Sequence, residues 1–127
     1  FWMPFAPVVL DEDIDNYFVV PANTDMRYMT AGLHTKPLGF ESIPGGLHQG
    51  DRTGRPQLMS SDLNPEVYAM LKAFKKITGV GGLINTSFNI HGNPIVCTSD
   101  DALKTMQNCD LDGVWINNCL IYRNGVL

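Results

Sequence analysis

The sequence predicts an α/β domain in which a mixed, twisted sheet is flanked by helices. Helical and extended patterns alternate from Asn64 onward, which is typical of a sheet with helices packed on it. With 127 residues and 44% hydrophobic content, the chain has enough apolar material for one core, so we assign residues 1–127 to a single domain. Because the chain begins inside an apolar run and without Met, we expect it to be a fragment of a longer protein.

Proline and glycine divide the first half of the chain into short elements. Residues 1–10 are apolar but contain two prolines, which predicts an edge strand or an extended segment docked on one. Residues 11–18 begin with acidic residues, as the first turn of a short helix does. A strand is predicted over 25–33, and residues 36–46, rich in proline and glycine, are predicted to form a loop.

The clearest predicted element is a helix that begins after Asn64 and ends at Gly79. Asn64 is a favourable N-cap, Pro65 suits the first helical position, and glycine is the usual stop. Five apolar residues recur at helical spacing and are predicted to form one buried face. They are Val67, Met70, Leu71, Phe74 and Ile77.

The last third of the chain is predicted to contain one helix and two strands. Thr98 and Asp101 have the spacing of a capping box, which predicts a helix start. The acids of its first turn are explained by the helix dipole rather than by catalysis. Residues 95–97 and 114–122 are apolar runs that predict strands.

A polar run follows the short apolar pair Leu83–Ile84, where the predicted strand ends. Residues 85–89 place two amides and two hydroxyls at this strand end. Strand ends open into the crevices where α/β proteins bind ligands, and these groups can hydrogen-bond a planar amide or phosphate oxygens. The alternative is that Asn85, Thr86 and Ser87 satisfy their own turn. Residue chemistry leaves both interpretations open.

A second polar segment, residues 48–57, contains two arginines whose guanidinium forks suit a phosphate or a carboxylate. Arg52 has a solvated loop as its alternative, whereas Pro56 stiffens the backbone beside Arg55 and favours a binding role there. His48 and His91 lie in the polar loops, where a solvated or turn-satisfying role competes with substrate binding. We find no Ser-His-Asp or Cys-His pattern that would indicate a side-chain nucleophile.

Charge and cysteine content exclude several functional classes. The formal net charge of −4 argues against a nucleic-acid binder. Three cysteines without a CxxC pair indicate reduced thiols in a cytoplasmic protein and give no metal site. No apolar run approaches the ~20 residues of a membrane span, so we expect no membrane partner.

Three blocks in order resemble the C-terminal region of the NodU-type carbamoyltransferases: residues 1–7, 48–57 and 85–96. The resemblance extends to about Tyr122. It implies a YrdC-like domain that binds ATP as co-substrate and carbamoyl phosphate, and forms a carbamoyladenylate. It further implies a separate actin-like N-terminal domain, with iron, that passes the carbamoyl group to a hydroxyl acceptor.

The resemblance also implies site residues. Arg55, Asn85 and Ser87 match family positions that hold carbamoyl phosphate and the carbamoyladenylate. Accessory candidates are His48, Arg52, Thr86, Asn89 and His91, and no residue of this chain is expected to bind metal. Many relatives have arginine at Met3 and an acid at Asn93. The family's basic, glycine-rich block that precedes residue 1 is not in this sequence, so we expect this piece alone to have little activity.

Two other functions stay open at this stage. One is a threonylcarbamoyl-adenylate synthase of the tRNA-modification type, which the negative net charge disfavours. The other is a non-catalytic binding module. The acceptor is equally open among a sugar antibiotic, a nodulation-type oligosaccharide and another hydroxylated metabolite.

Overall fold

The computed structural model describes residues 5–123. They form two compact units, of which the first ends at Thr86 and the second begins at Ser87. The assignment of residues 1–127 to a single domain stays a prediction. The departure at Met3 lies outside the described residues.

The first unit is a mixed α/β structure, which confirms the predicted class. In chain order its elements are β1 (Ala6–Leu10), α1 (Ile14–Tyr17), β2 (Leu33–His34), α2 (Pro37–Ser42), a 3-10 turn (Pro44–Gly46), β3 (Thr53–Gly54), β4 (Gln57–Met59), α3 (Pro65–Thr78) and β5 (Gly82–Asn85). The main sheet has the order β4-β1-β5, with β1 parallel to β4 and antiparallel to β5.

β1 is the central strand of this sheet, so the expected edge strand is wrong. Pro7 is tolerated in the centre because neither neighbour needs its missing N–H. Leu10 N donates to Gly81 O at 3.0 Å, and alternation from that pair places Pro7 at a non-hydrogen-bonded position opposite Ile84. On the other side, pairing with β4 begins only at Val8.

Two hydrophobic clusters pack on opposite faces of β1, as strand alternation requires. Val8 and Leu10 face α3 and join Met59 and Leu71. Val9 faces the other way into the larger cluster, whose other members are Ile14, Tyr17, Phe18, Met26, Leu33, Ile43 and Leu47. Residues 6–10 are all buried, so this strand organises the unit.

α3 has the predicted bounds and caps. Asn64 Oδ1 accepts a hydrogen bond from Val67 N at 3.1 Å, and Gly79 ends the helix with a positive φ of 80°. The predicted buried face is only partly right. Leu71 is fully buried, but Met70 is 39% exposed and Ile77 is 84% exposed, because the sheet covers only the Leu71 side of the helix.

Two predictions for residues 25–46 are wrong. Residues 25–32 form turns instead of a strand: the Asp25 carboxylate accepts from the backbone N–H and side chain of Arg27, and Met29 has a positive φ of 57°. The expected loop contains α2, because Pro37 occupies the first helical position. Gly39 is needed there because a side chain would collide with the backbone carbonyl of Tyr17.

The second unit consists of α4 (Ser99–Gln107), β6 (Gly113–Ile116) and β7 (Cys119–Tyr122). The predicted capping box is confirmed, since Thr98 and Asp101 exchange hydrogen bonds in both directions. The single strand expected over 114–122 is a hairpin, because Asn117 adopts a positive φ of 53° and reverses the chain. Residues 95–97 form no strand, and Ile95 is 65% exposed. The core contains Ala102, Met106 and Val114.

An ionic cluster ties α3 to the segment after β1. Lys72 Nζ lies 2.8 Å from Glu12 Oε1, and Lys75 Nζ lies 2.9 Å from the same atom and 2.8 Å from Asp13. The hydrogen bond from Lys72, followed by that from Lys75, lowers the pKa of Glu12 from 4.5 to about 2. The pKa of Lys75 is raised by its bonds to Asp13 and Glu12.

We expect Leu71→Ala to reduce the free energy of unfolding by about 3 kcal/mol, because it removes a fully buried side chain and leaves a cavity. Ile77→Ala on the same helix is the matched control and should change it by less than about 0.5 kcal/mol. Urea unfolding followed by circular dichroism measures both. Equal losses would mean that Ile77 is covered as the sequence pattern predicted.

We expect the free energy of unfolding to decrease less on acidification in Glu12→Gln than in the wild type. The unfolded chain takes up this proton near pH 4.5 and the folded protein only near pH 2, so the Glu12 contribution is complete above 4.5 and disappears as pH falls through that window. Unfolding midpoints measured across this range should therefore fall less steeply in the variant. Glu41→Gln, which changes charge equally on exposed α2, should keep the wild-type slope.

Candidate functional site

Polar side chains gather at the end of the main sheet where β1 begins. Asn85 is the last residue of β5 and pairs directly with Ala6, and Gln57 is the first residue of β4 and pairs with Val8. These four residues lie on the same face of the sheet because they occupy paired or alternate positions. The end of the sheet where β1 begins is thus polar on this face.

Asn85 and Gln57 join across the central strand. Asn85 Nδ2 donates to Gln57 Oε1 at 2.9 Å, and Gln57 Nε2 donates to the backbone carbonyl of Arg27 at 3.1 Å. The Ala6 methyl is small enough to let the two longer side chains meet above β1. The Asn85 amide therefore does not hydrogen-bond within its own turn, which was the alternative that the sequence left open.

Arg55 lies at the same end of the sheet, between β3 and β4. It is exposed, and Pro56 beside it is fully buried, which anchors the backbone. Arg55 precedes Gln57 by two residues, and Gln57 hydrogen-bonds Asn85 across β1. Within residues 5–123 the Arg55 guanidinium has no hydrogen-bond or ion-pair partner, so its donors stay available to an anion.

The loop that carries His48 and Arg52 is held by one carboxylate. Asp51 Oδ1 accepts from Thr53 N at 2.9 Å, from Thr53 Oγ1 at 2.7 Å, and lies 3.1 Å from His48 Nδ1. These hydrogen bonds, led by the backbone N–H of Thr53, lower the pKa of Asp51. Asp51 N also lies 3.4 Å from His48 Nδ1, so the Nδ1 side of the ring is held against Asp51 and Nε2 has no hydrogen-bond partner among residues 5–123.

Arg52 has a different environment from Arg55. Its backbone has a positive φ of 58°, which is uncommon outside glycine, and its guanidinium lies 4.2 Å from the centre of the Phe40 ring. This cation–π contact holds the Arg52 side chain against α2. Arg55 is therefore the less constrained of the two arginines.

The other predicted site residues belong to the second unit or its border. Ser87 Oγ donates to Asn89 Oδ1 at 2.6 Å, and Asn89 Nδ2 donates to the carbonyls of Ile90 and Asn93. These bonds organise the turn, as the alternative interpretation expected, while the Ser87 oxygen keeps lone pairs for a further donor. Thr86 and His91 are exposed.

Metal binding and membrane insertion find no support in the described part of the chain. Among residues 5–123, no group of three or more His, Cys, Asp or Glu side chains is placed to hold a metal ion. None of the described helices is long and apolar enough to cross a membrane.

The structure adds one residue that the sequence analysis did not assign. Gln57 lies within the second polar block but was not proposed as a site residue. Its role depends on β4 and β5 both pairing with β1, which brings together side chains 28 positions apart. A polar residue opening an apolar strand was the signal available. Arg55, Gln57 and Asn85 together offer cationic donors, an amide and an uncharged acceptor, a set that suits an anion carrying a planar amide.

Comparison with known proteins gives a consistent assignment. A family described as "Carbamoyltransferase C-terminus" matches residues 1–123. The chain is 37% identical over 122 residues to an uncharacterized protein of Methanocaldococcus jannaschii, covering 96% of this chain and 20% of that protein. It is 34% identical over 123 residues to the nodulation protein NolO of Bradyrhizobium diazoefficiens, covering 96% and 22%.

A third relative is the nodulation protein U of Rhizobium tropici, 32% identical over 123 residues, covering 97% of this chain and 20% of the relative. These matches confirm the resemblance drawn from the three sequence blocks. The chain spans about a fifth of the length of these relatives.

Proposed function

This chain belongs to the carbamoyltransferase C-terminus family, and from that premise we propose that it is the part of an O-carbamoyltransferase that binds ATP and carbamoyl phosphate and forms a carbamoyladenylate. The observation that carries the proposal is the polar end of the main sheet. There Arg55 is an unpaired cation among the described residues, two positions before Gln57, whose side chain bonds Asn85.

Each group has a role that its chemistry supports. The Arg55 guanidinium donates a fork of hydrogen bonds to phosphate oxygens, and it neutralises charge on them. The Asn85 amide bonds the planar carbamoyl group. Ser87 is proposed as a substrate-binding residue on the family resemblance alone, and its hydroxyl can both donate and accept. The accessory candidates are His48, Arg52, Thr86, Asn89 and His91. The chain contributes binding and charge stabilisation, and no side-chain nucleophile is required.

The proposed reaction balances with one water and no redox step. Carbamoyl phosphate and water give carbamate and inorganic phosphate. A carbamate oxygen attacks the α-phosphorus of ATP, the bond from that phosphorus to the α–β bridging oxygen breaks, and pyrophosphate leaves. In the transfer step an acceptor hydroxyl oxygen attacks the carbamoyl carbon, the carbon–oxygen bond to AMP breaks, and the hydroxyl proton is released.

The remaining parts of the proposal concern groups outside this chain. We place the acceptor step in an actin-like, iron-containing N-terminal domain of the same protein, working in the cytoplasm. Membrane and nucleic acid are not among the proposed partners. The names of the relatives refer to nodulation, which keeps a nodulation-type oligosaccharide among the acceptors beside an antibiotic sugar and other hydroxylated metabolites.

We expect Arg55→Ala to slow carbamoyl phosphate-dependent pyrophosphate release about 10- to 100-fold. Hydrogen bonds to a charged group contribute about 1.5–3 kcal/mol, which corresponds to this range. The measurement uses the protein at its full natural length with ATP and carbamoyl phosphate. Arg55→Lys should lie between the wild type and alanine, because it keeps the charge but lacks the planar fork.

Lys76→Ala is the charge-matched control for this experiment. Lys76 is also an exposed cation of the first unit, but it lies near the C-terminal end of α3 and takes no part in the polar end of the sheet, so its loss should leave the rate near the wild-type value. A wild-type rate in Arg55→Ala would contradict the role of Arg55. Pyrophosphate release that requires bicarbonate and threonine instead of carbamoyl phosphate would favour a threonylcarbamoyl-adenylate synthase, and a protein that binds neither set would be a non-catalytic module.

A further inference from the structure

We propose that Gln57 is a positioning residue that fixes which way the Asn85 amide faces, and that it thereby selects a ligand with an amide N–H₂ over one with a methyl group. The inference rests on the proposed function, because it names how the same site recognises the carbamoyl group. Gln57 hydrogen-bonds Asn85, and we do not place Gln57 in contact with the substrate.

The backbone carbonyl of Arg27 sets the direction of the hydrogen-bond chain. A carbonyl oxygen only accepts, so the Gln57 atom that lies 3.1 Å from it must be the Nε2 donor. The other end of the Gln57 amide is then Oε1, an acceptor. The Asn85 atom 2.9 Å from Oε1 must in turn be the Nδ2 donor. Chemistry thus fixes both amide orientations, independently of how the atoms of either side chain are labelled.

The consequence is that the Asn85 acceptor is left without a partner. One hydrogen of Nδ2 is engaged by Gln57 and the second stays free, while Oδ1 has no hydrogen-bond partner among residues 5–123. A carbamoyl N–H₂ donates to such an oxygen. The methyl group of acetyl phosphate, which has nearly the same shape, gives it no donor and leaves the oxygen unpaired.

The arrangement is held by the fold rather than by the loop. Gln57 and Asn85 occupy strand positions on either side of β1, and the buried Ala6 between them leaves room for the bond. An amide on a strand, with its partner also on a strand, is held more precisely than one on a loop. The turn that contains Arg27 is fixed by Asp25, so the carbonyl that sets the direction is itself positioned.

The test compares substitutions that keep or reverse this direction. Gln57→Glu loses the donor to the Arg27 carbonyl, but both of its oxygens accept, so Asn85 Nδ2 keeps an acceptor and its direction. Gln57→Lys offers only donors and favours the reversed amide, with Oδ1 toward Lys. Gln57→Met removes the partner without adding charge. The measured quantity is the ratio of the inhibition constant of acetyl phosphate to the KM of carbamoyl phosphate, in pyrophosphate release by the protein at its full natural length.

We expect this ratio to stay near the wild-type value in Gln57→Glu and to fall about 3- to 10-fold in Gln57→Lys and Gln57→Met, the effect of one neutral hydrogen bond. A change of charge at position 57 alters phosphate binding of both ligands equally, so it cancels in the ratio. The KM of ATP should change little between Gln57→Met and the wild type.

The same ratio in all four proteins, or an equal fall in all three variants, would overturn the inference while leaving the proposed function intact. A fall in Gln57→Met alone would support it if Gln57→Lys did not fold. A wild-type protein that does not use carbamoyl phosphate would instead refute the proposed function, and the role of Gln57 with it.

Discussion

The first unit depends on the complete burial of β1. This strand has a neighbour on each edge and a hydrophobic cluster on each face, so its five residues are all removed from water. A buried central strand must have every backbone group paired or absent. Pro7 meets this condition because it has no N–H, and β4 does not extend to the position where an N–H would need a partner. Val8 begins the parallel ladder immediately after it. The register that results places Asn85 and Gln57 on the same face.

The same constraint explains why the polar groups occur at one end of the sheet. Further along β1, Leu10 packs in the apolar cluster that contains Leu71 of α3. At Ala6 the side chain is small, its partner on β5 is Asn85, and Gln57 pairs with Val8, the next residue of β1 on the same face. Their mutual bond satisfies both amides in part-buried surroundings, where an unpaired donor would cost about 1–3 kcal/mol. The bond between these two side chains stabilises the end of the sheet, and the ligand recognition that we propose depends on the same pair.

Local signals in the sequence predicted local structure well. Asn64 and Gly79 gave the bounds of α3, and Thr98 gave the start of α4, because a cap acts on backbone groups within four residues. Burial was harder, since Ile77 has the helical spacing of a core residue yet faces away from a sheet that the sequence does not place. The central position of β1 was missed for a related reason: proline argues against a central strand unless the register is known.

Interactions between distant residues decided what could be predicted of the site. The polar character of residues 85–89 is visible in the sequence, but two of these residues, Asn85 and Ser87, have different kinds of hydrogen-bond partner. Ser87 bonds within its own turn, as its neighbours in the chain allow. Asn85 instead bonds Gln57, which lies 28 positions earlier, and thus no local pattern could distinguish the two residues. The fold, and not the turn, therefore determines the partner of Asn85. A side chain that serves only its turn would suit a protein without a ligand equally well, whereas an amide held in one orientation at the end of a sheet keeps an acceptor, Oδ1, without a partner among residues 5–123.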